Sequence, residues 1–504
     1  MMNSIFIWIP LLFLLISLLL LKIKKLLHNN RKLRTLVPPP GPSQLPLLGH
    51  LHLIGSHPHR SLWNLSRTHG PIMLLKFGSV PTVIISSAAV AQELFKLHDL
   101  ASCSRPRLAA TGRFSYNFLD LNLSPYSERW KELRKICILE LFSAKRVQSF
   151  QHIREEEVNL VLNSISQSSA SSTIVDLKAK SYSLTANILT RIAFGKSFRG
   201  SELDDENFEG CIQRASAALG SFSASDFFPG FGWIIDRLTG VHGRLEKSFE
   251  ELDAFYEHVV KDRVDFWTAF QMEENIVDVL LRMERENSPI FTPDCIKALI
   301  MDIFLAGVET GANMIIWAMA ELVKNSKVMK KLQDEIRSCI KEDRVKESEL
   351  EKLGYLKMVV KEVLRLHAPL PLLLPRETMS HFKLNGYDIQ PKTHVHVNVW
   401  AIGRDPETWT NPQEFCPERF MESNIDYKGQ NFELIPFGAG RRICPGVNMG
   451  IATVELALAN MLLCFDWKLP NGMKEDVDMD EDFGITVTKK SPLQLLPIPY
   501  FKSY

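Results

Sequence analysis

Residues 292–325 restrict the fold of this chain more than any other stretch. Thr292, Pro293 and Asp294 form a helix start: a hydroxyl to cap, a proline in the first turn and an acid at the positive end of the dipole. From there the chain is apolar on nearly every side until about Asn325. A helix with no polar face has to be enclosed by other elements. At about 1.5 Å per residue it reaches roughly 50 Å, so it crosses a whole body, which must be built around it. One interruption, Ala306-Gly307-Val308-Glu309-Thr310, sets a glycine, a carboxylate and a hydroxyl in this apolar run. Gly307 costs about 1 kcal/mol relative to alanine in a helix interior, which points to close approach by something flat.

The remaining patterns are mainly α with a smaller β region. Residues 72–87 are β-branched, broken by Gly78 and Pro81, and predict a hairpin, with Ser86 or Ser87 capping the next helix. Helical patterning then dominates to Asn325. The serine-rich run 166–172 is expected as a flexible surface loop. Residues 393–400, THVHVNVW, alternate as a strand that places His394 and His396 on one face. No third ligand is in view, so a strand face without metal is expected. The chain has 504 residues, 45% hydrophobic and 23% charged, enough for a large core without disulfide staples. A net charge of +1 gives no general attraction to nucleic acid.

Residues 5–21, IFIWIPLLFLLISLLLL, carry no charge and just reach the length of about 17–25 residues that a bilayer requires. Lys22, Lys24, Lys25, Arg31, Lys32 and Arg34 come next, and no acid precedes Glu93. This order predicts an uncleaved single-pass anchor with the body on the cytosolic side. VPPPGP at 37–42 cannot continue a helix and is expected as a stiff, extended spacer. The organisation is therefore an anchor with a basic flank (1–36), a proline-rich hinge (37–42) and one body (43–504).

Eight cysteines are scattered along the chain, none in a C-x-x-C pair, as expected of reduced thiols in a cytosolic setting. Most fit as small buried hydrophobes. Cys444 differs, because it lies in FGAGRRICPG at 437–446. A thiolate needs positive surroundings or a metal. The glycine-rich backbone and the helix start beyond Pro445 offer the first. Gly440 and Gly446 admit a flat ligand close to the backbone, and Arg442 offers a fork for a carboxylate. A thiolate for iron and a cation for a propionate are the parts of a haem site. The absence of C-x-x-C-H excludes covalent c-type attachment.

The pattern F-x-x-G-x-R-x-C-x-G resembles the haem-binding signature of the cytochrome P-450 superfamily, and further motifs agree in order and spacing. Glu362-Val-Leu-Arg365 matches the family's E-x-x-R, and FCPERF at 415–420 resembles its downstream element. The resemblance implies a buried structural triad of Glu362, Arg365 and Arg419. It implies Cys444 as the axial ligand of the haem iron, and Phe437, Gly440, Arg442 and Gly446 as cofactor contacts. Trp130 and Arg134 in WKELR, and Arg376 in LLLPRET, are implied propionate contacts. Ala306 and Gly307 would border the haem, with Thr310 and Glu309 in proton delivery. Gly311 departs from plant relatives, which often carry serine or threonine there. Phe118, Leu370, Leu373 and Ile485 are the implied substrate-pocket residues, in largely apolar segments that suit a lipophilic small molecule.

The resemblance covers the whole chain and looks most like plant microsomal members of specialised metabolism. It implies the P-450 fold behind a single N-terminal transmembrane helix in the endoplasmic reticulum membrane, with haem b as cofactor and O2 as co-substrate. No G-x-G-x-x-G or P-loop is present to bind a nicotinamide or flavin directly. NADPH would act only through a reductase partner, for which Lys131, Arg134, Lys135 and Arg441 could form a basic docking face. The expected reaction inserts one oxygen atom of O2 into a terpenoid, alkaloid or phenolic. A haem-thiolate isomerase or dehydratase, and a non-catalytic haem-binding protein, are the alternatives. Retention of both Glu309 and Thr310 favours the monooxygenase.

Overall fold

A computed structural model describes residues 36–197, 205–266, 274–286, 289–470 and 477–500. In it the apolar stretch is one helix, Pro293–Lys324, started by the Thr292 hydroxyl, which accepts from the Cys295 N–H at 3.2 Å. The elements that position the site are, in chain order, α1 (Pro58–His69), β1 (Ile72–Phe77), β2 (Val80–Ile85), α2 (Glu128–Glu140), α3 (Leu177–Phe194), α4 (Asp205–Gly220), α5 (Gly232–Leu238), α6 (Pro293–Lys324), α7 (Gly354–Leu366), β3 (Arg376–Glu377), β4 (His394–Val397), α8 (Val447–Cys464), β5 (Glu481–Phe483) and β6 (Val487–Lys489).

The main core closes around α6. Leu184 and Ile188 of α3, Val363 of α7, and Val454 and Leu458 of α8 share one apolar cluster with Ile300, Phe304, Val308 and Ile315 of α6. Both α6 and α8 are long and apolar enough to cross a bilayer, yet both are largely buried inside the body as core helices. Close crossing of α3 and α6 depends on two glycines. A Cβ on Gly307 would lie 2.6 Å from Leu189 Cδ1, and one on Gly311 would lie 3.1 Å from Thr185 Cγ2. The neighbour found against Gly307 is thus Leu189 of helix α3.

The main sheet has the order β1-β2-β4-β3. The hairpin forms as its sequence predicts, with Ile72 opposite Ile85 and Gly78 at φ +57° in the turn, and Ser87 caps the next helix. Strand β4 runs parallel to β2, and β3 antiparallel to β4. Val395 and Val397 face a second core with Val83 and Ile85, so His394 and His396 turn to the opposite side. Burial, reinforced by His394 and Arg105, lowers His396 to about 3 and keeps it neutral.

Two expectations change. Residues 166–170 are the last turns of a helix, Gln151–Ala170, rather than a loop. Ser166 and Ser168 donate to the carbonyls of Leu162 and Ser164, and Ser169 donates to Pro497 O at 2.9 Å. Back-bonding to i−4 satisfies these hydroxyls inside a helix. The proline-rich stretch is extended but is stitched to the body rather than free. Val37 N–H donates to Asp388 Oδ2 (2.9 Å), and Pro40 O accepts from Leu74 N (2.9 Å). The expected anchor of residues 5–21 and its basic flank lie outside the described residues.

Candidate functional site

Helix α6 is buried at both ends of one face and open in the middle. Asp302, Ala306, Thr310, Asn313 and Trp317 succeed one another at helical spacing on that face. At one end Asp302 accepts the N–H groups of Leu121 (2.8 Å) and Asn122 (3.2 Å). At the other, Asn313 Nδ2 reaches Thr486 Oγ1 (3.5 Å) and Trp317 Nε1 donates to Val487 O (3.3 Å), which fixes the β5–β6 hairpin. Between these bridges Ala306 is exposed and Thr310 half-buried, although the helix is otherwise enclosed. The described residues leave this strip of α6 uncovered.

The Cys444 loop is linked to this face of α6 through Leu121. The Leu121 carbonyl accepts from Trp130 Nε1 (2.8 Å) and Arg442 Nη1 (3.4 Å), while its N–H is held by Asp302. The loop is set by backbone as much as by side chains. Gly438 and Gly440 both adopt positive φ, +71° and +68°. Cys444 N–H donates to Phe437 O at 3.0 Å. A Cβ on Gly440 would lie 2.6 Å from the Asp99 carboxylate, so this glycine makes room for Asp99. Gly446 turns its N–H to the Cys444 sulfur. Burial pushes the Cys444 thiol up, opposed by that N–H and by Arg134, whose Nη2 donates to Ile443 O at 2.5 Å.

Beside the loop lies a cluster of guanidiniums. Arg442 is buried, donates to Cys103 O, Leu121 O and Ser124 O, and stacks 3.7 Å above the Trp130 ring. Arg105 is buried and donates to Asn122 O, Leu374 O and Pro375 O. Among the described residues neither forms an ion pair. Burial, then Arg376 and Arg134, depress Arg442 to about 9 despite an opposing pull from Cys103, and burial with Arg442 and Arg376 drives Arg105 well down. Asp120 lends both cations some support, but one shared negative charge does not balance two buried guanidiniums, so this donor set fits a ligand bearing carboxylates. Arg376 is already paired: it donates to Asp99 Oδ1 (2.7 Å) and Ala439 O (3.1 Å). Burial pushes Asp99 up, but Arg376 and the Arg441 hydrogen bonds outweigh it and hold the carboxylate ionised. Trp130 spends its N–H on Leu121. Its ring supports Arg442, and Arg134 lies 5.6 Å from it.

Glu362, Arg365 and Arg419 meet. Arg365 forks onto Glu362 at 2.7 and 2.8 Å, and Arg419 Nε reaches the same carboxylate at 3.0 Å. Leu373, at φ +51°, lies against the Cys444 loop, 3.8 Å from where a Gly438 Cβ would stand. Val487 N–H donates to Pro369 O (2.9 Å), bringing Ile485 and Leu370 to one side. The Phe118 ring packs under Gly112 and beneath Arg107. Lys131 and Lys135 are exposed on α2 and the Arg441 side chain is half-exposed, whereas Arg134 is turned inward on the loop.

Thr310 and Glu309 diverge. The Thr310 hydroxyl donates to Ala306 O at 2.5 Å and keeps its lone pairs as acceptors. Glu309 is buried, with Oε1 accepting from the Tyr182 hydroxyl of α3 at 3.4 Å and Oε2 without a hydrogen-bond partner among the described residues. Sequence reasoning missed Asp99, Arg105, Asp120, Asp302 and Tyr182. None lies within a recognised motif, and only the fold brings them to the site.

The comparisons with known proteins agree with this geometry. The family model described as Cytochrome P450 matches residues 39–497. Cytochrome P450 71B37 of Arabidopsis thaliana is 50% identical over 504 residues, covering 98% of this chain and 99% of that protein. Cytochrome P450 71B26 of the same plant is 51% identical over 504 residues, with the same coverage. A solved zebra fish cytochrome P450, described with abiraterone, superposes with a TM-score of 0.74 at 22% identity, covering 89% of this chain and all of that one, and shows the shared fold. With Cys444 in a glycine-built loop that Leu121 links to α6, the chain belongs to the cytochrome P450 family of monooxygenases, which use haem b and O2.

Proposed function

We propose that this P450 oxidises a lipophilic small molecule of plant specialised metabolism, a terpenoid, alkaloid or phenolic, with electrons from NADPH through a reductase on the endoplasmic reticulum membrane. The observation that carries the site assignment is the pairing of the open Ala306–Thr310 strip with the Cys444 loop and its unpaired guanidiniums. Cys444 would hold the haem iron, and Arg442 and Arg105 the propionates. Trp130 fixes Arg442, while Arg134 and Arg376 add positive potential. Bound there, haem supplies thiolate-assisted activation of O2. The chain's own part is to hold and admit. Leu370, Leu373 and Ile485 give the strip apolar walls that exclude water, the Thr310 lone pairs can accept from a water in the strip, and Glu309 Oε2 is a buried acceptor within reach of the same helix turn.

Membrane residence draws support from the body as well as from residues 5–21. Trp233, Ile234 and Leu238 of α5 are exposed, Leu238 at 83%, and so are Leu45, Leu47 and Leu48. Contiguous apolar surface of this kind suits a lipid boundary. Relatives in a plant are consistent with the substrate class.

The test is reduced protein with carbon monoxide, then turnover. Wild type should absorb near the thiolate-type Soret position and Cys444→Ala should not. With reductase, NADPH consumption should rise with a substrate of the stated class and yield a product carrying one added oxygen. Product formation without O2 or NADPH would instead indicate an isomerase or dehydratase.

A further inference from the structure

Segment 118–124 joins the two walls of the site, and its holds run through buried side chains. On the α6 side, Asp302 Oδ2 takes the N–H groups of Leu121 and Asn122. On the loop side, Arg105 donates to Asn122 O (3.0 Å) and Arg442 to Ser124 O (2.7 Å). Asp120 folds back within the segment, accepting from Leu123 N (2.6 Å) and from the Ser124 hydroxyl (2.7 Å). The chain enters through three consecutive left-handed residues, Tyr116 (φ 49°), Asn117 (φ 61°) and Phe118 (φ 66°). Such backbone persists only where its surroundings impose it.

By holding the amides that directly follow Asp120, Asp302 brings its carboxyl group beside that of Asp120, where the two hydrogen-bond to each other. Two carboxyl groups can stand this way only with a proton between them. Asp302 Oδ2 is occupied by two amides, so the other oxygen is free to carry it. We propose that Asp120 and Asp302 hold one proton between them and so latch segment 118–124 between α6 and the Cys444 loop, and that loss of this proton at alkaline pH releases the segment. Both are positioning residues, acting through the loop they hold.

The electrostatics agree. Burial first, and the Asp120 charge second, push Asp302 well up. Burial also raises Asp120, against the Ser124, Leu123 and Asp302 hydrogen bonds and the Arg442 charge. Other groups face the pair from each packed element. Arg442 comes from the Cys444 loop, Arg105 from the segment before Ala109, Cys137 and Arg129 from α2, and Cys295 from the start of α6. Burial keeps both thiols protonated. With one proton the pair carries a single negative charge, met by Arg105 and Arg442. With none, two negative charges stand at hydrogen-bond distance.

On release both carboxyls return to the ordinary range, about 4. Between that range and the raised one, release gives up one proton. Docking is therefore favoured at lower pH and weakens as pH rises, the opening constant growing about tenfold per pH unit over that interval.

Hydrogen–deuterium exchange on the full-length haem-loaded protein reads this directly. Protection of amides 118–124, corrected for intrinsic rate, should fall about tenfold per pH unit in the wild type. Asp302→Asn keeps an oxygen for both amides and offers N–H to Asp120, with no proton to lose, so the slope should vanish. Asp302→Ala should leave the segment poorly protected at every pH. The carbon monoxide spectrum reports folding, and Asp120→Asn replaces Asp302→Asn if that variant does not fold. An infrared band of a buried carboxylic acid, present in wild type above neutral pH, is the independent mark. A flat wild-type profile, an equal slope in the asparagine variant or no such band overturns the latch. None of these readouts uses substrate or reductase, so a negative result leaves the proposed function standing.

Discussion

At the scale of the residue, the site works by what each polar group is denied. Burial raises the Cys444 thiol, so its anion needs the Gly446 N–H, Arg134 and iron together. Thr310 uses its one proton on Ala306 O, which leaves the oxygen only as an acceptor in an apolar strip. If that oxygen orders the water through which protons arrive, Thr310→Ala should keep haem content and substrate binding. Product per NADPH should then fall by about tenfold or more, since a positioned proton-transfer group is worth about 10²–10⁴-fold. The missing product should appear as hydrogen peroxide, and Thr310→Ser should restore coupling. Gly311 supplies no substitute hydroxyl. Unchanged coupling in Thr310→Ala would move the role to Glu309 or to an ordered water.

At the scale of the element, α7 is pinned by one carboxylate. Glu362 takes both arms of Arg365, the Arg419 Nε and the Cys416 N–H (2.8 Å), while Arg365 also donates to Gly403 O, Pro412 O and Glu414 O. Apart from the Glu362–Arg365 fork, which lies within α7, every one of these bonds joins α7 to the segment 403–419 that precedes the Cys444 loop. Removing the carboxylate strands two largely buried guanidiniums. Glu362→Ala should therefore cost about 3–5 kcal/mol, read as an earlier denaturant midpoint with haem loss in the same transition. Haem retained at wild-type stability would remove the triad from the support of the loop.

At the scale of the molecule, the net charge is +1 and says little; its placement says more. Lys131 and Lys135 project from α2 beside the half-exposed Arg441, on the side where Arg134 meets the Cys444 loop. If this face receives the reductase, Lys131→Glu with Lys135→Glu should slow reductase-dependent haem reduction severalfold and flatten its dependence on ionic strength. Chemical reduction should still give the wild-type carbon monoxide spectrum. An unchanged reductase rate would place the docking face elsewhere.

The sequence by itself determined the features that rest on local chemistry. An all-apolar helix capped by Thr292 has to be buried. Alternating β-branched residues broken by Gly78 have to turn back. A cysteine among glycines and arginines has to serve a ligand. The tertiary structure decided what depends on partners distant in the chain. Gly307 and Gly440 were legible as places of close approach, but only packing shows that Leu189 and Asp99 lie against them. Ser166 to Ala170 carry loop-like composition, yet the helix continues because i−4 carbonyls and Pro497 O satisfy their hydroxyls. Arg376 matches a propionate contact by motif, and only the fold shows its pairing with Asp99, 277 residues away in sequence. Asp120 and Asp302 carry no motif at all. A pattern records what neighbours along the chain require, whereas the charge a buried group bears is set by what folding places against it.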